Sequence, residues 1–173
     1  MKTQLLSAVL VSLAILTGSF AYSNDAKPIR TTTKEISIKS AFQKIELGSY
    51  IQLVLVQDEN RSSVVIQGDE NFIPAVDVRI DNGILSITSK QNLKGRKIKV
   101  YVPVTTLTLL DLASDASVAS EGVLTQDDLK VVVHDGSTAD LHVLGNLQIE
   151  PGEGCDLEYQ TFKKSSVRTG GNN

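Results

Sequence analysis

The sequence predicts an all-β protein whose second half is a β-solenoid, a stack of short strand-turn-strand units. Val, Ile and Leu occur in short runs, aromatic residues make up only 5% of the 173 residues, and Trp is absent. After the first 21 residues we find no segment with convincing helical periodicity. Three segments of the second half repeat one pattern with a period of about 20 residues. The length suits one domain with its own core.

The first 21 residues, MKTQLLSAVLVSLAILTGSFA, have the pattern of a secretory signal peptide. Lys2 precedes an apolar stretch, and Ser19 and Ala21 provide the small residues of a cleavage site. The stretch is too short for a comfortable membrane span, so we expect an exported chain without a transmembrane segment after cleavage. Residues 22–34 are predicted to be a polar leader, and its TTT run is not expected to form a strand.

From Glu35 onward the chain is predicted to be β, with hairpin strands in the first half. EISIKS and residues 51–56 alternate apolar and other side chains, as strands with one buried face do. Asn82-Gly83 lies between two alternating runs and predicts a tight type I′ hairpin. The basic segment NLKGRKIK, residues 92–99, is predicted to be a solvated hairpin tip with edge-protecting charges. A polyanion site is the alternative for these charges.

The repeats begin at about Val104, and three segments align: LTLLDLASDASV, LKVVVHDGSTADL and LQIEPGEGCDL. Each unit is too small to bury its own apolar face, whereas stacked units place like strands about 4.8 Å apart and share a core. A β-sandwich of hairpins is the structural rival. Two sets of residues fall at equivalent places: Leu110, Val131 and Ile149, and then Val118, Leu141 and Leu157.

The alignment predicts which side chains face the core, because successive residues of a strand point to opposite faces. The residues predicted to point outward are Lys130, His142 and Gln148. The residues predicted to point inward are Leu110, Leu112, Val118, Val131, Val133, Leu141, Ile149 and Leu157.

The candidate binding residues are the carboxylates near the predicted corners: Asp115, Asp135, Asp140 and Asp156. Stacked into a column, they could bind or hydrolyse a polysaccharide, or hold Ca²⁺ through oxygen ligands. Asp is also the ordinary residue of β corners, where its side chain caps free N–H groups, and the sequence favours that interpretation.

No catalytic residue, metal ligand or cofactor is predicted. His134 and His142 lack the further ligands of a metal site, and neither a G-x-S-x-G elbow nor a phosphate-binding loop occurs. Cys155 is the single cysteine, and we expect a free thiol in the core or in a turn.

The order AFQKIELGSYIQLVLVQ, VVIQGDENFIP, VDVRIDNGILSIT and KVYVPV, followed by Ser/Gly/Asp corners, resembles the GIN domain. This is a family of exported bacterial proteins, common in Bacteroidetes, described as autotransporter adhesin heads or domains of unknown function. The resemblance covers about Glu35 to Lys164. It implies a right-handed parallel β-helix or related solenoid in the periplasm or on the outer surface of a bacterium. We therefore expect one solenoid domain over residues 35–164 and a flexible tail over 165–173.

Two functions from different classes remain. A non-enzymatic envelope or surface module would bind an envelope protein or a cell-surface polymer through its repetitive β face. A small polysaccharide-acting enzyme would use the corner carboxylates. The low aromatic content weakens both sugar interpretations, and the sequence favours the module. The net charge of −3 argues against nucleic acid as the partner, because phosphate binding needs clustered Lys and Arg.

Overall fold

The structure, a computed structural model, describes residues 30–163, which form one mixed, twelve-stranded sheet that curls into a nearly closed, barrel-like shape. Within this range the helical element is a single 3₁₀ turn, Ile73–Ala75. The predicted all-β class is therefore confirmed. The strands are β1 (Thr31–Ser37), β2 (Lys44–Leu47), β3 (Gln52–Gln57), β4 (Ser63–Asp69), β5 (Val76–Asp81), β6 (Ile84–Ser89), β7 (Lys99–Val104), β8 (Leu109–Leu112), β9 (Ser117–Glu121), β10 (Leu124–Val133), β11 (Thr138–Pro151) and β12 (Asp156–Phe162).

Two parallel ladders make up most of the sheet. The first ladder contains β6, β2, β8 and the second halves of β10 and β11, in that order. The second ladder contains β7, β3, β9, the first half of β11, and β12. Four short corners carry the chain from the first ladder to the second: residues 48–51, 113–116, 134–137 and 152–155. Loop 90–98 makes the equivalent connection between β6 and β7.

Apolar side chains form two columns because the ladders are in register. All members are buried except Ile149 and Leu157, which lie half-buried in the last strands. Burial of these aliphatic side chains is the main stabilising contribution to the fold. The first-ladder column is Leu85, Ile45, Leu110, Val131 and Ile149. The second-ladder column is Val100, Leu53, Val118, Ala139 and Leu157.

The predicted alignment is confirmed in the first ladder, where Leu110, Val131 and Ile149 are register partners. In the second ladder it is wrong by two residues, because Ala139 rather than Leu141 pairs with Leu157. Leu141 is nevertheless buried, since a shift of two residues leaves a strand side chain on the same face. The predicted inward residues are all buried or half-buried against the core, and the predicted outward residues are at least partly exposed.

The sheet differs in two respects from the parallel β-helix expected from the resemblance. Antiparallel strands flank the ladders: β5 pairs with β6, β4 with β7, and β1 with β4. The parallel strands also do not follow chain order, because β2 lies between β6 and β8 and β3 lies between β7 and β9. A regular solenoid stacks its units in chain order. The fold of the described residues is therefore a mixed, barrel-like sheet, and the expected parallel β-helix is not shown.

The Asn82-Gly83 hairpin is confirmed, whereas the basic segment differs from its prediction. Asn82 and Gly83 have φ values of 49° and 78° between the antiparallel strands β5 and β6, as a type I′ turn requires. Residues 92–99 are not a hairpin tip, because β6 and β7 belong to different ladders. Their basic side chains instead lie in and beside loop 90–98, next to the corners.

The beginning of the described region also corrects the sequence interpretation. The TTT run forms a strand: Thr31, Thr32 and Thr33 start β1 and pair with β4. Backbone hydrogen bonding to a neighbouring strand overrides the polar composition of this segment. The predicted signal peptide, most of the polar leader and the predicted tail lie outside residues 30–163. No helix within that range is long and apolar enough to cross a membrane.

Candidate functional site

The four corners stack into a continuous edge through their backbones. The Tyr50 N–H donates to the Asp115 carbonyl at 3.1 Å, and the Asp115 N–H donates to the Asp135 carbonyl at 3.1 Å. The Gly136 N–H donates to the Glu153 carbonyl, also at 3.1 Å. Each corner is thereby tied to the next, and we call residues 48–51, 113–116, 134–137 and 152–155 together the corner edge.

A buried serine fixes two of these corners to each other. The Ser137 hydroxyl accepts the Ala116 N–H at 3.1 Å and donates to the Ala113 carbonyl at 2.8 Å. Ser137 is fully buried, and its hydroxyl adds to the hydrogen bond that the Ala116 N–H also donates to the Ala113 carbonyl at 3.2 Å. The corner edge is therefore a rigid element rather than a set of independent loops.

The four predicted carboxylates do not form one column. Asp115 and Asp135 lie at stacked corners, whereas Asp140 lies within β11 and Asp156 begins β12. The Asp135 carboxylate accepts the Glu153 N–H at 2.8 Å, which is the capping role of a β-corner Asp. Residues 30–163 contain no group of three or more His, Cys, Asp or Glu side chains that could hold a metal ion. A binding role for the four carboxylates stays a prediction.

The histidines and the cysteine make separate contacts. His134 Nε2 lies 3.1 Å from Asp111 Oδ1 in the first ladder region, and His142 Nε2 lies 3.9 Å from Asp140 Oδ1 on the second ladder. Cys155 is a free, half-buried thiol in the last corner, and its Sγ donates to the His134 carbonyl at 3.2 Å. A backbone carbonyl does not activate a thiol in the way an imidazole base does.

The outer face of the second ladder carries a row of polar side chains in register. Within the described part of the chain, none of these side chains has a hydrogen bond or ion pair with another side chain. Other outward side chains do pair, on both ladders. Lys130 binds Glu150 at 2.9 Å and Ser86 binds Glu46 at 3.1 Å on the first ladder, and His142 lies 3.9 Å from Asp140 on the second. We call the following residues the polar row: Lys99, Gln52, Ser117, Thr138 and Asp156.

Sequence reasoning missed the polar row. Asp156 alone was among the candidate site residues, because the other members lie on strands whose pairing depends on non-local register. Alternation places Gln52 and Ser117 on the outer faces of their strands, but it does not predict that β3 and β9 are neighbours. The alternation of inward and outward residues along each strand was the one signal in the sequence that pointed to these side chains.

Tyr50 and Asp115 form a distinct unit beside the start of the polar row. Both residues have φ values of 60°, in the left-handed region that residues other than Gly seldom adopt. Hydrogen bonding to the Asp115 carboxylate, together with partial burial and the negative charge of Asp115, raises the pKa of the Tyr50 hydroxyl above its ordinary value of 10.0. Tyr50 is therefore a neutral hydrogen-bond donor at neutral pH.

Titration of Tyr50 provides a test of this unit. We expect a tyrosine transition above pH 10 in an alkaline absorbance titration at 295 nm, and Tyr50→Phe should remove it. Asp115→Asn should lower the midpoint, because it removes the negative charge while Asn still tolerates a positive φ. Since the folded-state pKa is the higher one, the stabilisation is complete below about pH 10 and is lost as the pH rises through the folded-state pKa.

The control for this titration is Asp111→Asn, which neutralises the carboxylate beside His134 instead. An unchanged tyrosine midpoint in Asp115→Asn, or an equal change in Asp111→Asn, would contradict the assignment.

A family model described as "Putative auto-transporter adhesin, head GIN domain" matches residues 41–161. The chain belongs to this family. The resemblance read from the sequence is thus confirmed, and the matched residues contain both ladders from β2 through most of β12. No curated protein matches the chain.

Solved structures described as putative adhesins have a similar fold. One from Parabacteroides merdae has a TM-score of 0.62 at 21% identity, over 76% of this GIN-family chain and 58% of that chain. One from Bacteroides fragilis has a TM-score of 0.55 at 18% identity, over 78% and 60%. One from Parabacteroides distasonis has a TM-score of 0.51 at 18% identity, over 79% and 65%. This chain therefore spans about six tenths of the length of these structures, and the likeness concerns the fold.

Proposed function

We propose that the protein is a non-enzymatic, exported binding module of the bacterial envelope or cell surface. In this proposal the sheet presents the outer face of the second ladder to an envelope protein or a cell-surface polymer. Membership of a family described as adhesin heads supports this class of function. Asp115 and Asp135 would border the contact surface, and Asp140 and Asp156 would lie within it.

The polar row is the observation that carries the proposal. It offers one polar side chain per strand, and neighbouring strands lie about 4.8 Å apart. Hydrogen-bonding groups at a regular spacing suit an extended or repetitive ligand. Because these side chains are not engaged with one another in residues 30–163, they can contact a partner without breaking an existing pair.

The alternative, a polysaccharide-acting enzyme, requires two carboxylates at a defined separation across a bound sugar. The Asp135 carboxylate accepts the Glu153 N–H, and the Asp115 carboxylate interacts with Tyr50, so each corner carboxylate already makes a structural contact. The geometry thus favours the module. Loss of a hydrolytic activity in Asp140→Ala and Asp156→Ala, with folding retained, would support the enzyme instead.

The proposal is tested by binding of the purified protein to peptidoglycan, lipopolysaccharide, a panel of common glycans and intact cells. We expect saturable binding to at least one of them, and Thr138→Glu, in the polar row, should weaken it at least fivefold. Gln148→Glu is the matched control, because it adds the same charge to the same strand but on the outer face of the first ladder. Equal weakening by both variants would refute the proposal, whereas absence of binding to every polymer and to intact cells would exclude the polymer ligands and direct the search to an envelope protein, by cross-linking in native cells.

A further inference from the structure

A cleft of about 490 Å³ lies where loop 90–98 meets the corner edge. The connection between β6 and β7 is this long loop rather than a tight corner, and the additional residues form one wall of the cleft. Tyr50 and Asp115 belong to the opposite wall, and Gln52 and Ser117 extend the lining onto the polar row.

The loop wall is cationic. Arg96, Lys97 and Lys99 line the cleft, and none of them has an ion pair with a residue in the described range. The Arg96 guanidinium lies 4.5 Å from the centre of the Phe72 ring, which fixes the side chain beside the cleft. Three unpaired cations converge here although the chain has a net charge of −3. The cleft therefore attracts anions electrostatically.

The other wall offers hydrogen-bonding groups, of which the Asp115 carboxylate alone is charged. The Ser117 hydroxyl and the Gln52 amide are available, and the Tyr50 ring presents an aromatic surface next to them. The Asp115 carboxylate has acceptor sites beyond the one that Tyr50 uses, since a carboxylate offers about four lone-pair sites. Such groups complement the hydroxyls and the apolar ring face of a sugar.

We propose that this cleft binds a segment of an acidic polysaccharide, a glycan strand that carries carboxylate or sulfate groups. Lys97 and Lys99 contact the anionic substituents, while Gln52, Ser117 and Asp115 hydrogen-bond to ring hydroxyls. The polar row then continues the path of the strand away from the cleft. This inference rests on the proposed function and names its ligand class.

Two other polyanions fit the cleft less well. An acidic peptide presents backbone amides rather than a dense array of ring hydroxyls, so it complements the wall that contains Gln52, Ser117 and Asp115 less fully than a glycan does. Single-stranded nucleic acid is held by a long cationic groove with several aromatic platforms, whereas this cleft has one tyrosine and three cations. An acidic glycan uses both the cationic and the hydroxyl-binding wall.

The test measures binding of the purified protein to polygalacturonate, dextran sulfate and neutral dextran at low ionic strength. We expect binding to one or both acidic glycans, weakened by added salt, and at least tenfold weaker binding to dextran. The carboxylated and sulfated polymers distinguish the two sources of negative charge. Lys97→Glu/Lys99→Glu should weaken binding to the acidic glycan at least tenfold.

Lys34→Glu/Lys44→Glu is the matched control, because it changes the net charge equally at two exposed lysines away from the cleft. It should weaken binding less than twofold. Equal weakening by both double variants would overturn the proposal, because net charge rather than the cleft would then control binding. Circular dichroism establishes that each variant retains its β structure.

Poly-L-glutamate and a single-stranded oligonucleotide test the specificity for sugars. Either of them binding as tightly as the acidic glycan would overturn the proposal. Gln52→Ala, which removes only an amide, should weaken glycan binding severalfold and leave poly-L-glutamate binding unchanged. If acidic glycans do not bind but another envelope component does, the ligand class is refuted while the proposed function stands.

Discussion

Gly145→Ala should destabilise the protein by about 3–5 kcal/mol, among the largest effects of a single methyl group. Gly145 lies in β11 where the strand passes from the second ladder to the first, opposite a register irregularity in β10. A Cβ at this position would lie 1.6 Å from the Gln126 carbonyl oxygen, and φ is 141°. The chain must therefore move, because a side-chain carbon and a carbonyl oxygen that are not bonded to each other cannot approach so closely.

Gln126 resists that movement. It is buried, its Oε1 accepts the Leu107 N–H at 2.6 Å, and its Nε2 donates to Gln57 Oε1 at 3.2 Å. Displacing this residue leaves buried polar groups without partners, which costs about 1–3 kcal/mol for each group.

The control is Gly154→Ala, also at a positive φ but with open space around the new Cβ. It should cost only about 1–2 kcal/mol, the strain of a non-glycine residue in the left-handed region. The measurement is the free energy of unfolding from urea denaturation. Similar losses in the two variants would contradict the close approach of β10 and β11 at Gly145.

Leu110→Ala should lower the free energy of unfolding by about 2–5 kcal/mol. Leu110 is fully buried at the middle of the first-ladder column, with Ile45 on one side and Val131 on the other. Deletion of its side chain leaves a cavity that close-packed neighbours on both sides cannot fill.

Leu157→Ala is the matched control, because the same atoms are removed at the open end of the second-ladder column. Leu157 is half-buried in β12, which pairs only with β11 within residues 30–163. We expect Leu157→Ala to lower the free energy of unfolding by roughly half as much as Leu110→Ala does, or less. The change removes less buried surface, and water fills the space. A larger loss for Leu157 than for Leu110 in urea denaturation would contradict the order of the strands.

Local chemistry made part of the fold predictable from the sequence. Asn82-Gly83 predicted a hairpin because few residue pairs accept two positive φ values. The pairing of Leu110, Val131 and Ile149 was predictable because consecutive units with one pattern stack on each other. In both cases the interacting segments are close in the sequence.

Non-local pairing explains most of what the sequence did not predict. Ile45 of β2 lies between Leu85 of β6 and Leu110 of β8. The order of these strands in the sheet therefore differs from their order in the chain, and no local pattern encodes that difference. The predicted pairing of Leu141 with Leu157 was wrong because strand periodicity defines the face on which a residue lies but not its partner on the next strand. Tyr50 and Asp115 meet only through the pairing of β3 with β9, so their contact could not be inferred from either segment alone.

The most direct test of the binding account is an NMR titration of the isotope-labelled protein with oligogalacturonate. If the cleft and the polar row bind the glycan, the largest amide shift changes will lie at Gln52, Lys97, Lys99, Ser117 and Thr138 and will decline toward the last strand. Changes concentrated on the outer face of the first ladder, at Lys44, Lys130 or Gln148, would place the binding surface elsewhere and contradict the account.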